Sequence, residues 1–180
     1  MNMSWKYQIP SIILTDKNLG EGVLNFDINS VDTINREELS VYKGTRPYKR
    51  YAFSDTGISP LAFAPYPGIT IKVNSYEHDE YGITTEDPGI TMLMQEKRLR
   101  KENHLREELK DYQQVNIYGN QESPIALLCW GSNKGVCLEV AERLKLKVIQ
   151  PVVLWPFPQE EFAKDALGAK RIICVENNAT

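Results

Sequence analysis

The sequence has few of the residue types that organise most self-contained chemistry. It holds only two histidines and three cysteines among 180 residues. Cys129, Cys137 and Cys174 are an odd set without close pairing, which argues against a disulfide framework. No C-x-x-C occurs, so neither structural zinc nor an iron–sulfur cluster is expected on this chain, and no residue is assigned as a metal ligand. Cys129 and Cys174 lie in the apolar runs ALLCW and IICV and read as buried small hydrophobes. Without a G-x-S-x-G turn, two histidines give no basis for a Ser–His–Asp or Cys–His hydrolase. No apolar run reaches the roughly 18 residues of a membrane span. The opening stretch MNMSWKYQIPSIILTD has no charged start, apolar region and cleavage site, so cytoplasm is the expected location. Positive charge is not in excess: 21 Lys and Arg stand against 24 Asp and Glu. Neither nucleic acid nor a membrane is therefore an expected partner.

What is present is a chain that is 42% hydrophobic, enough for a real core, and it divides into four pieces by texture. In residues 9–22, Ile12, Ile13 and Leu14 read as a buried strand, with Asp16 capping a helix start. A lone buried strand needs neighbours, and little chain precedes it. Residues 28–90 are rich in Tyr, Pro, Gly and Thr. Pro47, Pro60, Pro65, Pro67 and Pro88 interrupt any long helix. Residues 48–51 and 69–73 suit edge strands or a meandering connector laid over another surface. Residues 91–113 lack Gly and Pro and predict a helix with an imperfect stripe of Met92, Leu99, Leu105, Leu109 and Tyr112. That helix is either solvated or a docking element for a partner.

Residues 123–176 are the clearest region. Strands are predicted at 123–130, 148–154 and about 170–175, with helices from Val136 to Lys145 and from Phe157 onward, Pro158 suiting the first turn. Strand, helix, strand, helix, strand implies an α/β open parallel sheet with flanking helices. Ligands in such sheets sit off the carboxyl ends of the strands, which groups the loops at 131–135, 155–158 and 176–180 on one edge.

Three sets of residues are candidates for chemistry. Gly131, Ser132, Asn133, Lys134 and Gly135 form a strand-to-helix turn. Its backbone N–H groups and Lys134 could cradle an anion, although neither a P-loop nor G-x-G-x-x-G is spelled. The other reading is a tight turn, with Gly131 relieving crowding and Ser132 capping the helix. Glu77, His78, Asp79 and Glu80 offer four polar groups in a row, but neighbours in an extended segment face opposite ways. Only His78 with Glu80, or Glu77 with Asp79, can share a face, which is too few for a metal; a structured polar loop against another subunit is the alternative. Tyr48-Lys49-Arg50-Tyr51 is a basic-aromatic tetrad, suited to phosphate contact or to packing.

The order of these motifs resembles the alpha subunits of 2-oxoacid:ferredoxin oxidoreductases, best the 2-oxoglutarate type. The resemblance rests on TRPYKRY with DTGISP (45–60), EHDEYG with TEDP (77–88), and KRLRK (97–101). It continues through WGS with Lys134-Gly135, LWPFP (154–158) and VENNAT (175–180), and covers nearly the whole chain. It implies a remnant of the thiamine-diphosphate pyrimidine-side domain at 1–27. A connector follows at 28–118, with a helix near 91–113, and then an incomplete transketolase C-terminal-like domain at 119–180. Such enzymes oxidatively decarboxylate a 2-oxoacid with coenzyme A, giving acyl-CoA and reduced ferredoxin. Thiamine diphosphate, Mg and iron–sulfur clusters are expected in the complex, held mainly by the partner beta subunit; gamma and delta subunits are further expected partners. The Tyr-Pro-Ile-Thr-Pro-like opening of the family's first domain, and the cofactor-activating glutamate with it, has no counterpart here. No catalytic residue is therefore transferred, and the chain alone is expected to bind none of these cofactors and to be inactive. Gly131, Ser132 and Lys134 are the expected coenzyme A or anion turn, and Glu77 to Glu80 the expected interface or active-site-proximal loop. The competing reading is a non-catalytic assembly or binding module of the transketolase C-terminal type.

Overall fold

A computed structural model describes residues 2–30, 37–44 and 47–177. Of the quoted motifs, Thr45, Arg46 and residues 178–180 lie outside the described residues. In chain order the helices are α1 (Asn2–Tyr7), α2 (Lys17–Glu21), α3 (Pro88–Leu109), α4 (Asn133–Leu144) and α5 (Gln159–Ala166). The strands are β1 (Val115–Gly119), β2 (Ile125–Leu128), β3 (Lys147–Pro151) and β4 (Arg171–Cys174). The chain forms two compact units. Unit 1 comprises Met1–Ile12 with Val31–Leu105, and unit 2 comprises Ile13–Ser30 with Arg106–Thr180.

Unit 1 has no strand among its described residues, only the isolated bridges Val41–Leu61 and His78–Thr84. Segments 48–51 and 69–73 are thus connector rather than edge strand. Their backbone partners are dispersed, as in Tyr51 N–H to the Glu80 carbonyl at 2.9 Å, so no ladder builds up. Polar side chains tie the loops together. Buried Tyr48 donates to the Pro60 carbonyl at 3.1 Å and accepts from the Ala62 N–H at 3.0 Å. Ser59, also buried, donates to the Ala52 carbonyl at 2.9 Å.

Helix α3 starts three residues before the predicted 91, because Pro88 occupies its first turn and Asp87 Oδ1 accepts the Ile90 N–H at 2.8 Å. Its predicted apolar stripe is only partly the buried one. Leu105 and Leu109 are buried, but Met92, Leu99 and Tyr112 are exposed. The inward positions of its unit 1 portion are Met94, Lys97 and Leu105, at 1%, 4% and 8% exposure. Gly57, at φ +77°, lets the 54–58 turn lie against this helix: a Cβ there would stand 2.3 Å from the Lys97 carbonyl oxygen.

Unit 2 is built on a four-stranded sheet ordered β1-β3-β2-β4. β2 runs parallel to both β3 and β4, with Leu128 opposite Ile149 and Cys174. The open sheet with flanking helices matches the sequence reading, but it is mixed rather than all parallel. β1, which the sequence reading did not assign, pairs antiparallel with β3 from Val115–Pro151 to Gly119–Lys147. Leu127, Cys129, Cys137, Ala141 and Val148 form one apolar cluster, and Val115, Ala126 and Ile149 form another with Phe162 against it. Helix α4 begins at Asn133 rather than Val136 and ends with Lys145 in the left-handed region, its N–H on the Ala141 carbonyl. Pro158 stands at the N-cap of α5, one position before the first turn.

Two expectations fail here. Ile12, Ile13 and Leu14 are not a buried strand: they are 81%, 83% and 57% exposed and belong to no ladder among the described residues. An apolar triplet becomes a strand only where another strand lies beside it. The helix after it does form, with Asp16 Oδ1 accepting the Leu19 N–H at 2.9 Å. Cys129 is buried as expected, but Cys174 is exposed because β4 is an edge strand with all four residues open to solvent.

Candidate functional site

In unit 1 the turn at Glu77–Glu80 sends its side chains to separate duties. Glu77 accepts from Arg98 and from Gln95 of α3. Glu80 accepts from Lys49 Nζ at 2.7 Å and the Phe53 N–H at 3.0 Å. Burial pulls both carboxyls upward, yet hydrogen bonds from Arg98 to Glu77 and from Lys49 to Glu80 outweigh it and hold both below the ordinary carboxylate value. Asp79 Oδ1 accepts the N–H groups of Tyr81 and Ile83, each at 2.9 Å, closing the turn. His78 is buried. Its Nδ1 lies 2.6 Å from the Tyr76 carbonyl, which can only accept, so Nδ1 carries the proton. Its Nε2 is buried with no hydrogen-bond partner among the described residues, and the Tyr51 ring stands 3.8 Å away, centroid to centroid. The four side chains do not converge on one point, and no group of three His, Cys, Asp or Glu among the described residues is placed to hold a metal ion.

The tetrad 48–51 is likewise committed inward. Lys49 pairs with Glu80, and Arg50 donates to Gln8 Oε1 at 3.2 Å while its guanidinium lies 4.9 Å from the Tyr51 ring centroid.

In unit 2 the parallel β2, β3 and β4 bring their carboxyl ends to one sheet edge, which gathers the turn after β2, the loop after β3 and the residues after β4. Gly131 has φ +59° with open space around it. Ser132 precedes α4 but makes no side-chain cap bond. Lys134 lies in the first turn of α4 with its ammonium 4.8 Å from the Tyr118 ring centroid, a cation–π contact. Cys129 and Cys137 meet just below this turn. Burial, and then the hydrogen bond with Cys137, push the Cys129 thiol up to about 12, so it is no nucleophile near neutral pH.

The same edge carries a feature that the sequence did not reveal. Arg106, Gln114, Phe157, Pro158, Glu160 and Glu161 line a cleft of about 640 Å³. Arg106 donates to the Phe157 carbonyl at 3.2 Å and lies 5.9 Å from the Trp155 ring centroid. Glu161 fixes the start of β1 by accepting the Val115 N–H at 3.1 Å. Only the expectation that the 155–158 loop borders the strand ends pointed toward it.

No family model matches the chain. It is 34% identical over 190 residues to a 2-oxoacid:ferredoxin oxidoreductase subunit alpha of Saccharolobus solfataricus, covering 99% of this chain and 29% of that protein. It is 32% identical over 186 residues to subunit alpha of a 2-oxoacid:ferredoxin oxidoreductase of Aeropyrum pernix, covering 98% of this chain and 28% of that protein. A solved 2-oxoglutarate:ferredoxin oxidoreductase from Magnetococcus marinus, with 2-oxoglutarate, coenzyme A and succinyl-CoA bound, matches with a TM-score of 0.80. That match has 30% identity and covers 99% of this chain and 32% of the solved one. The chain thus spans about three tenths of the length of the relatives it matches. Over that stretch its homologues are alpha subunits of 2-oxoacid:ferredoxin oxidoreductases.

Proposed function

We propose that this chain serves the oxidative decarboxylation of a 2-oxoacid of the 2-oxoglutarate type with coenzyme A, giving acyl-CoA and reduced ferredoxin. It does so as a contributor to a larger assembly in the cytoplasm. The observation that carries the reading is a likeness that runs along 99% of the chain in both sequence and backbone. Its share is assembly and shaping of the site from outside. The beta subunit holds thiamine diphosphate, Mg and an iron–sulfur cluster, and gamma and delta subunits and ferredoxin complete the partners. This division is supported by the site geometry: Glu77, Asp79, Glu80 and Lys49 are engaged in holding the connector. The turn at Gly131, Ser132 and Lys134, beside the 155–158 loop, is the surface we assign to coenzyme A or another anion, because it lies off strand carboxyl ends at the start of α4 and carries the Lys134 ammonium.

The test is 2-oxoacid-dependent reduction of a viologen dye with thiamine diphosphate and coenzyme A. The isolated chain is expected to show none, and turnover by it alone would overturn the division of labour. Calorimetry with coenzyme A on the wild type and Lys134→Ala tests the turn; equal heats would remove Lys134 from it.

A further inference from the structure

Unit 1 conceals a concentration of positive charge with no carboxylate bonded to it among the described residues. Lys97 is 4% exposed and has no hydrogen-bond or ion-pair partner among the described residues. Around it stand Arg50, Arg100 and Lys101, all half-buried. Their hydrogen bonds go to neutral groups. Lys101 Nζ donates to the Gln8 carbonyl at 3.2 Å, Arg50 to Gln8 Oε1 at 3.2 Å, and Arg100 to the Ser54 carbonyl at 3.3 Å. Arg100 Nε is buried with no partner at all among the described residues. Arg98 is nearby too, but Glu77 already neutralises it. Four cations are therefore gathered without one carboxylate bond between them among the described residues, in a chain whose net charge is -3.

Such a cluster is costly by itself. Burial, and then repulsion from Lys101, Arg50, Arg98 and Arg100, push the Lys97 ammonium down to about 8. Lys101 is pushed down to about 8 by burial and then by Arg50 and Arg98. Partly buried cations are tolerated where an anion completes them. The donors present suit a tetrahedral oxyanion: the Lys97 ammonium, the N–H groups of Lys101 not spent on Gln8, and the Arg100 Nε–H, which has no partner among the described residues.

We propose that Lys97, Lys101, Arg50 and Arg100 form a binding site for a small oxyanion, a phosphate or a phosphoryl group, with Lys97 as its floor and the half-buried cations as its rim. The site is distinct from the turn at 131–134 and does not depend on the oxidoreductase reading, since its readout is ion binding and not turnover.

The experiment titrates the full 180-residue chain with inorganic phosphate by calorimetry, and measures melting in phosphate against chloride at matched ionic strength and pH 7. Wild type and Lys110→Met, whose lysine is exposed and paired with Glu107, are expected to bind phosphate at one site and to melt higher in phosphate than in chloride. Lys97→Met and Lys101→Met remove one charge each while keeping an unbranched apolar stem, and each is expected to weaken phosphate at least tenfold. AMP in place of phosphate separates the sources: binding of both marks a phosphoryl group on a carrier, and binding of phosphate alone marks the free ion. No phosphate effect beyond chloride in the wild type, or unchanged affinity in both Lys97→Met and Lys101→Met, would overturn the proposal.

Discussion

Unit 2 is held together mainly by apolar contact across a β-ladder, whereas unit 1 is held mainly by hydrogen bonds from side chains to loop backbone. In the first, Val148, Ile149 and Ala126 are at 0% exposure on adjoining strands. In the second, the described residues between 37 and 87 contain no strand or helix, and tyrosine, serine and carboxylate groups satisfy the backbone. The contrast teaches that a proline-rich stretch can be well ordered if its polar side chains supply what a ladder would otherwise supply. It also predicts different responses to substitution. Removing methylene groups should hurt unit 2 most, and removing single polar atoms should hurt unit 1.

The largest expected effect is in the sheet. Ile149→Ala opens a cavity between Val115, Ala126 and Phe162 and should cost roughly 3–4 kcal/mol in urea unfolding followed by circular dichroism. A cost below about 1 kcal/mol would mean that the sheet core collapses easily and the contrast is false. Next comes a gain, in unit 1. Lys97→Met should stabilise the chain at pH 7 in chloride buffer, by up to about 3 kcal/mol. The sign follows from linkage. With Lys97 at about 8 in the folded chain against an ordinary value of 10.5, the unfolded chain holds the extra proton between those limits. Wild-type stability therefore rises with pH across that window, is complete above it, and is lost as pH falls through about 8; a series of unfolding curves should show a shallower rise in Lys97→Met, with Lys101 supplying the remainder.

Tyr48→Phe deletes one oxygen yet strands the buried Ala62 N–H, and should cost about 2 kcal/mol by the same unfolding measurement. A neutral result would show that loop packing, not hydrogen bonding, orders unit 1. The smallest effect is at Glu80. Glu80→Gln weakens its bonds to Lys49 and the Phe53 N–H and should cost about 1 kcal/mol. Since the Glu80 carboxyl is held below its ordinary value, its contribution is present above that value and lost as pH falls through the folded one. Acid unfolding of wild type and variant should converge there.

How much of this was legible in the sequence differed between the units for a physical reason. Strands β2, β3 and β4 are short apolar runs near Gly or Pro, which leaves a local mark in the sequence; in β2 and β3 that mark reflects burial, whereas β4 carries it at an exposed edge. The mark misled where tertiary context decided. Ile12–Leu14 has the same apolar density but no adjacent strand. β1 was missed because Asn116 and Tyr118 interrupt its apolar residues, and its pairing with β3, from Val115–Pro151 to Gly119–Lys147, depends on a partner distant in sequence. On α3 the eye follows Met and Leu, while the inward face is set by spacing: 94, 97, 101 and 105 recur at three and four residues. Lysines on that face look like solvent-facing charge in any reading by composition. Of the site residues, Glu77–Glu80 were singled out for their polarity, but their separate partners, Arg98, Lys49 and the turn's own backbone, could not be read from adjacency.

One consequence of the sheet order concerns how the protein behaves at high concentration. Among the described residues β4 is bonded to β2 on one side only, and its Ile172 and Ile173 are 41% and 44% exposed. The other side of the strand offers a row of peptide donors and acceptors flanked by apolar branched side chains, the usual template for edge-to-edge association. Arg171 at its start is the sole charge within the strand and acts as a gatekeeper against stacking of like chains. A lysine in place of Ile173 would add charge at this sheet margin and is expected to lower association of the purified chain through it.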